Sequence, residues 1–327
     1  MQEKPLKPFK KIGPLFISAH FKDAKDPCIV FDGRIWHIYG SGGNVRKEEW
    51  KVLHATAQSI EGPWTEQEPA ILLGLDGPHV AAPSVVYDPA DKLFHMAIQK
   101  DFMMIGGGIE YLVSADGKKF TLTHTLLDPI SDSSEAGLYD PHFSEADGKK
   151  YMVYAGMPSK MTYARAFTPQ PDAYLAESES GLWSGPWKRL KKILDHDDIA
   201  WHHNSREHVD YEWGIEGPQI VALPNGKVLL NATCFIEGER RGTRQRVFFA
   251  LADRPEGPYR SLGPVIPPGA SDSADQEWES GENGHASAYV KDDILHLFYQ
   301  ARSRKDPDPR ANNWQYGLAL FRLDDMR

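Results

Sequence analysis

A strand–turn–strand unit opens five times along this chain, at Asp26, Pro83, Asp140, Glu216 and His285. Each opener is followed by an apolar run, a turn signal and a second run ending in aromatic or apolar residues. In the first unit Cys28-Ile29-Val30-Phe31 leads through Asp32-Gly33 to Ile35-Trp36-His37-Ile38-Tyr39. Asp32-Gly33, Asp147-Gly148 and Asn225-Gly226 fall at one offset, and such pairs favour hairpin turns because the central residues need positive φ. A third strand follows in every unit, at residues 52–56, 109–113, 173–176, 247–251 and 316–320. A fourth is marked by Glu61-Gly62-Pro63-Trp64, Ser184-Gly185-Pro186-Trp187 and Glu256-Gly257-Pro258-Tyr259, with Asp116-Gly117 serving in unit two.

Four antiparallel strands repeated five times, with almost no helical periodicity, predict an all-β five-bladed β-propeller with its active site in the axial pocket. A pair of β-sandwiches would not repeat one unit along nearly the whole chain. The 327 residues are therefore expected to form a single propeller domain. The fifth unit lacks a fourth strand, and the segment 9–18 is expected to pack beside it and complete the ring.

Hydrophobic content of 41% with 11% aromatic residues supports a large core, and the 25% of charged residues is not that of a disordered or membrane chain. No apolar run approaches the ~20 residues that span a bilayer, so no membrane partner is expected. The net charge of −9 argues against nucleic acid, whose phosphates need a concentrated cationic face. Cys28 and Cys234 lie in apolar strand patterns and read as buried free thiols. The start Met1-Gln2-Glu3-Lys4-Pro5 has no apolar signal core, which fits either a cytoplasmic protein or a mature form whose signal was removed.

The first strand of a propeller blade lines the axis, so the openers converge there from five directions. Asp88-Pro89, Asp128-Pro129, Asp306-Pro307 and Asp308-Pro309 read as turns, whereas Asp26 and Asp140 precede inner strands in register with the other units. Three carboxylates thus recur at what reads as one structural position. Carboxylates gathered at one pocket serve metal binding or acid/base chemistry. Glycoside hydrolysis needs a general acid and a base or nucleophile on the other face of the sugar, and a third carboxylate nearby raises the acid's pKa.

The openings Lys25-Asp26-Pro27, Ala82-Pro83-Ser84, Tyr139-Asp140-Pro141, Ile215-Glu216-Gly217-Pro218 and Gly284-His285-Ala286-Ser287, with the turn Ser59-Ile60-Glu61-Gly62-Pro63-Trp64, resemble family 43 of the glycoside hydrolases from about residue 20 onward. These are five-bladed propeller enzymes, mostly inverting, that act on arabinose- and xylose-containing glycans. The resemblance implies Asp26 as general base, Glu216 as general acid and Asp140 as the neighbour that raises the acid's pKa and orients it. It implies an oligo- or polysaccharide partner. No cofactor is required, but a calcium or sodium ion in the axial channel is implied as a structural element, held by His285 through its hydration shell; a satisfied core histidine is the alternative. Many relatives carry Asp where Ser84 stands, which leaves the sugar open among α-L-arabinofuranosides, β-xylosides and related glycans.

The irregular stretch 195–213 carries Trp201, His202, His203, Asn204, His208, Tyr211 and Trp213 just before Glu216. Long loops on rigid scaffolds carry binding function and aromatic faces stack on sugars, so Trp201, His202, His203 and Trp213 are read as substrate contacts. A zinc site there would need further spaced Cys or His. Met103-Met104 and Gly106-Gly107-Gly108 read as a turn bordering the pocket. Arg302, with Trp314 across the next loop, reads either as a contact to sugar hydroxyls or as a surface charge. Two other functions fit a propeller: a glycoside phosphorylase, for which Arg240, Arg241, Arg244 and Arg246 offer cations but read as solvated, and a non-catalytic carbohydrate-binding module.

Overall fold

The central strands of each unit are apolar on both faces, as in Met96-Ala97-Ile98, so each sheet buries one face on the preceding sheet and the other on the following one, and five of them close in a ring. The computed structural model describes residues 6–44, 49–75, 80–100, 107–131, 133–157, 171–195, 214–235, 245–267, 276–303 and 313–326. They form five antiparallel sheets whose innermost strands are Asp23–Phe31, Val80–Asp88, Gly137–Ala146, Glu216–Ala222 and Glu282–Lys291. Each sheet continues outward through a second and a third strand to a fourth. Blade two carries an additional edge strand, Ile71–Leu73, parallel to its outer strand Lys119–Leu127. The architecture is an all-β five-bladed propeller.

Blade five takes its fourth strand from the other end of the chain. Lys10–Phe16 pairs antiparallel with Gln315–Arg322, with Lys10 opposite Leu320 and Phe16 opposite Tyr316. Five buried apolar clusters fill the five blade interfaces. Tyr39 and Val52 meet Met96 and Phe120 between blades one and two, while Phe298 and Leu318 meet Ile38 and Leu53 where blade five returns to blade one. Cys28 and Cys234 are free thiols within this core.

The Asp147-Gly148 hairpin has φ of 51° and 71°, the left-handed pair that a two-residue turn between twisted strands requires. Blade five makes the same turn with Asp292 and Asp293 at 51° and 58°. Aspartate tolerates this region better than most residues because its short side chain can bond locally.

Candidate active site

Every inner strand breaks register near its start and holds one residue at positive φ. These are Asp26 (51°), Ala82 (49°), Asp140 (48°), Gly217 (55°) and His285 (33°). A bulge of this kind re-aims a side chain that regular pleating would point elsewhere. The five openers read from sequence therefore do not share one position. Asp26, Asp140 and His285 sit at the bulge, but Pro83 follows it by one residue and Glu216 precedes it by one, at the place held by Lys25 in blade one. The Glu-Gly-Pro of blade four differs from Glu61-Gly62-Pro63 in opening an inner strand.

His285 brings the three carboxylates together. Its Nδ1 lies 3.0 Å from Asp26 Oδ1 and 3.9 Å from Asp140 Oδ2, and its Nε2 bonds Glu216 Oε2 at 3.1 Å. The Asp26 contact is a charge contact lying off the line of a good hydrogen bond. Gly217 makes this approach possible, since a Cβ there would sit 3.0 Å from His285 Nδ1. All four side chains are 9–18% exposed at one end of the axis. With His285, the bulge residues and their neighbours Pro27, Pro83, Pro141 and His142 line an axial cavity of about 30 Å³, enough for water.

Burial alone would raise Asp26, but the charges of Lys25 and His285 pull its carboxyl far below the ordinary range. Burial lifts Asp140 to about 6, with His285 opposing and the charges of Asp26 and Glu216 adding. Burial also disfavours charge on His285, yet the charges of Asp26 and Asp140 and the bond to Glu216 outweigh it and raise the imidazole to about 10. The cluster therefore holds an imidazolium beside a firmly ionised Asp26.

A cation held by His285, directly or through water, needs a ring nitrogen free to accept. Both nitrogens face carboxylates here, and among the described residues no group of three or more His, Cys, Asp or Glu side chains is arranged to hold a metal. As placed, His285 turns both ring nitrogens to carboxylates and offers neither to such a cation.

Two residues at the site were not assigned a role from sequence. Lys25 places its Nζ 5.8 Å from the Trp50 ring and 5.9 Å from the Trp314 ring, within cation–π range, and its backbone carbonyl accepts a 2.7 Å bond from Tyr316 Oη. Burial lowers its affinity for a proton, but Asp26, Glu216, Asp140 and Asp23 more than restore it. Its signal was its place beside Asp26, obscured because the bulge offset is not visible in sequence. His142 faces the cavity, and burial drops it to about 3, so its ring is neutral. Ser84 accepts the Phe143 N–H at 2.8 Å, a bond between blades two and three.

Arg302 is not a surface charge. Its Nε and Nη2 donate to Glu282 Oε2 at 3.0 and 2.5 Å in a buried pair, and its guanidinium stacks 4.9 Å from Trp314 on the ring it shares with Lys25. Arg246 is likewise buried rather than solvated, donating to the carbonyls of Gln245 and Gly281. Trp201, His202, His203, Asn204, His208, Tyr211 and Trp213 lie outside the described residues, as do Met103, Met104, Gly106, Arg240, Arg241 and Arg244.

The fold is shared with glycoside hydrolases of families 62 and 43. The catalytic domain of a Coprinopsis cinerea family-62 α-L-arabinofuranosidase superimposes with a TM-score of 0.70 at 12% identity, over 98% of both chains. A Podospora anserina α-L-arabinofuranosidase in complex with cellotriose gives 0.67 at 15% identity, over 97% of this chain and 95% of that one. A thermostable family-43 glycoside hydrolase gives 0.60 at 17%, over 91% and 89%. No protein-family model and no curated protein sequence matches the chain.

Proposed function

We propose that the protein is a glycoside hydrolase that cleaves an α-L-arabinofuranosidic bond on an oligo- or polysaccharide with inversion. Asp26 acts as general base, Glu216 as general acid and Asp140 as the carboxylate that orients the acid. The observation that carries this reading is the convergence of three carboxylates from three blades on one imidazole ring beside a water-sized cavity. Contacts of 3.0 and 3.1 Å on the two nitrogens of one ring keep Asp26 Oδ1 and Glu216 Oε2 at most about 8 Å apart, a bound that admits both the ~6.5–9.5 Å of an inverting pair and the ~5 Å of a retaining one, so the first-formed anomer decides between them.

The charge state of Asp26 and the exposure of Glu216 suit these roles. Asp26, held ionised by Lys25 and His285, can accept a proton from a water in the cavity it lines. Glu216 is the most exposed of the three carboxylates, which suits contact with a leaving oxygen. The arabinofuranoside is favoured over a xyloside by the fold likeness to the two arabinofuranosidases, which extends over nearly the whole of each chain.

A panel of 4-nitrophenyl glycosides, with the first-formed anomer followed by proton NMR, tests the proposal. Turnover of the α-L-arabinofuranoside with the β-anomer appearing first is expected. Release of the α-anomer first would overturn the inverting assignment, and inertness toward every arabinofuranoside, xyloside and galactoside would overturn hydrolysis.

A further inference from the structure

At four of the five blade openings, the N–H of the positive-φ residue is accepted by a side chain from the second strand of the preceding blade. Ala82 donates to Ser41 Oγ at 2.7 Å, Asp140 to Gln99 Oε1 at 2.6 Å, His285 to Thr233 Oγ1 at 2.5 Å and Asp26 to Gln300 Oε1 at 2.8 Å. The four acceptors occupy one register position, opposite Lys25, Ala81, Glu216 and Gly284. A bulge takes its N–H out of the ladder of its own sheet, and a buried N–H needs an acceptor from elsewhere.

The fifth member of the series, opposite Tyr139 in blade three, is Ala155, fully buried and without an acceptor. Here the N–H of Gly217 is taken by Asp140 Oδ2 at 2.9 Å. The exception falls between the two blades that supply Asp140 and Glu216.

We propose that Ala155 is a positioning residue of the active site. By leaving this one capping place empty of a polar group, it hands the Gly217 N–H to Asp140 and ties the blade-three carboxylate to the backbone beside Glu216. The inference rests on the reading of Glu216 as the acid and Asp140 as its orienting partner. A hydroxyl at position 155 is competent to take the bond over, because Ser41 and Thr233 make the equivalent bond from the equivalent place. Asp140 would then lose a bond to a fixed backbone donor and be free to rotate. A methyl group that touches no substrate thus decides whether a carboxylate is locked.

The test is Ala155→Ser in the full chain labelled with 15N-glycine, beside Asp140→Asn and wild type. An N–H bonded to a carboxylate is more strongly deshielded than one bonded to a neutral oxygen, so the Gly217 amide proton is expected to move upfield in both variants. On the best substrate of the glycoside panel, kcat of Ala155→Ser should fall about tenfold or more with KM little changed, as expected when a reacting group is misplaced. A Gly217 signal that stays put in Asp140→Asn overturns the assignment even if Ala155→Ser does not fold. A signal that moves in Ala155→Ser while kcat stays within about twofold of wild type overturns the positioning role. The amide signal is read without substrate, so an inactive wild type would count against the glycosidase reading separately.

Discussion

Replacing Lys11 with methionine should open the seam where the two ends of the chain close the ring. Lys11 lies in the strand Lys10–Phe16, and its Nζ sits 2.5 Å from Glu279 Oε1 with the two side chains 3% and 0% exposed. The contact is ionic rather than aligned as a hydrogen bond; Nζ also donates to the Pro267 carbonyl at 3.3 Å, and Glu279 Oε2 accepts Tyr299 Oη at 2.7 Å. Burial already pushes the Glu279 carboxyl upward, with Lys11 and Tyr299 opposing. Without Lys11, the buried carboxylate keeps, among the described residues, only the tyrosine hydroxyl, and breaking one side of such a pair costs about 3–5 kcal/mol. An unfolding entropy of about 2.1 cal/mol/K per residue makes roughly 0.7 kcal/mol/K for 327 residues, so Tm should fall by about 4–7 °C. Calorimetry on Lys11→Met and on the double variant Lys11→Met, Glu279→Gln measures it. The double variant should recover most of the loss, since it buries no unpaired charge and its amide can still meet Tyr299. A single variant within about 1 °C of wild type, or a double variant as unstable as the single, would refute the reasoning.

Asp26→Asn and Glu216→Gln should each lower turnover by about 10²–10⁴-fold with Tm and circular dichroism little changed, and near-normal turnover in either removes that residue from its role. Lys25→Met removes the largest influence that holds Asp26 ionised, so the acid limb of the kcat/KM–pH profile should move to higher pH; an unmoved limb separates Lys25 from the base. His285 is raised from its unfolded value near 6.5 to about 10, so the stability it contributes is complete below pH ~6.5 and lost as pH rises through about 10. Wild-type Tm should therefore fall more steeply than that of His285→Gln between those limits, and parallel curves would show that the imidazolium does not stabilise the cluster.

Much of the architecture was readable because its signals are local. The hairpin glycines, the alternating strands and the need for a missing outer strand all depend on residues a few positions apart, and Lys10–Phe16 takes its place in blade five accordingly. The Asp292-Asp293 turn was less legible, since it adopts left-handed geometry without glycine. Arg246, and the surface-charge alternative for Arg302, show what local signals miss. A charged residue at the end of a strand suggests a surface, and only the fold supplies the buried Glu282 and the carbonyls that pair them.

The recurring opener by itself determined that Asp26, Asp140, Glu216 and His285 would meet at the axis, because residues at the start of inner strands have nowhere else to go in a five-bladed ring. Only the tertiary structure decided how they meet. The left-handed bulge displaces Glu216 by one residue from the Asp26 position, Gly217 leaves room for the imidazole, and Ala155 passes a backbone donor to Asp140. Strand periodicity is set by neighbours along the chain, whereas these contacts join groups from 68 to 259 positions apart, and their geometry exists only once the ring has closed.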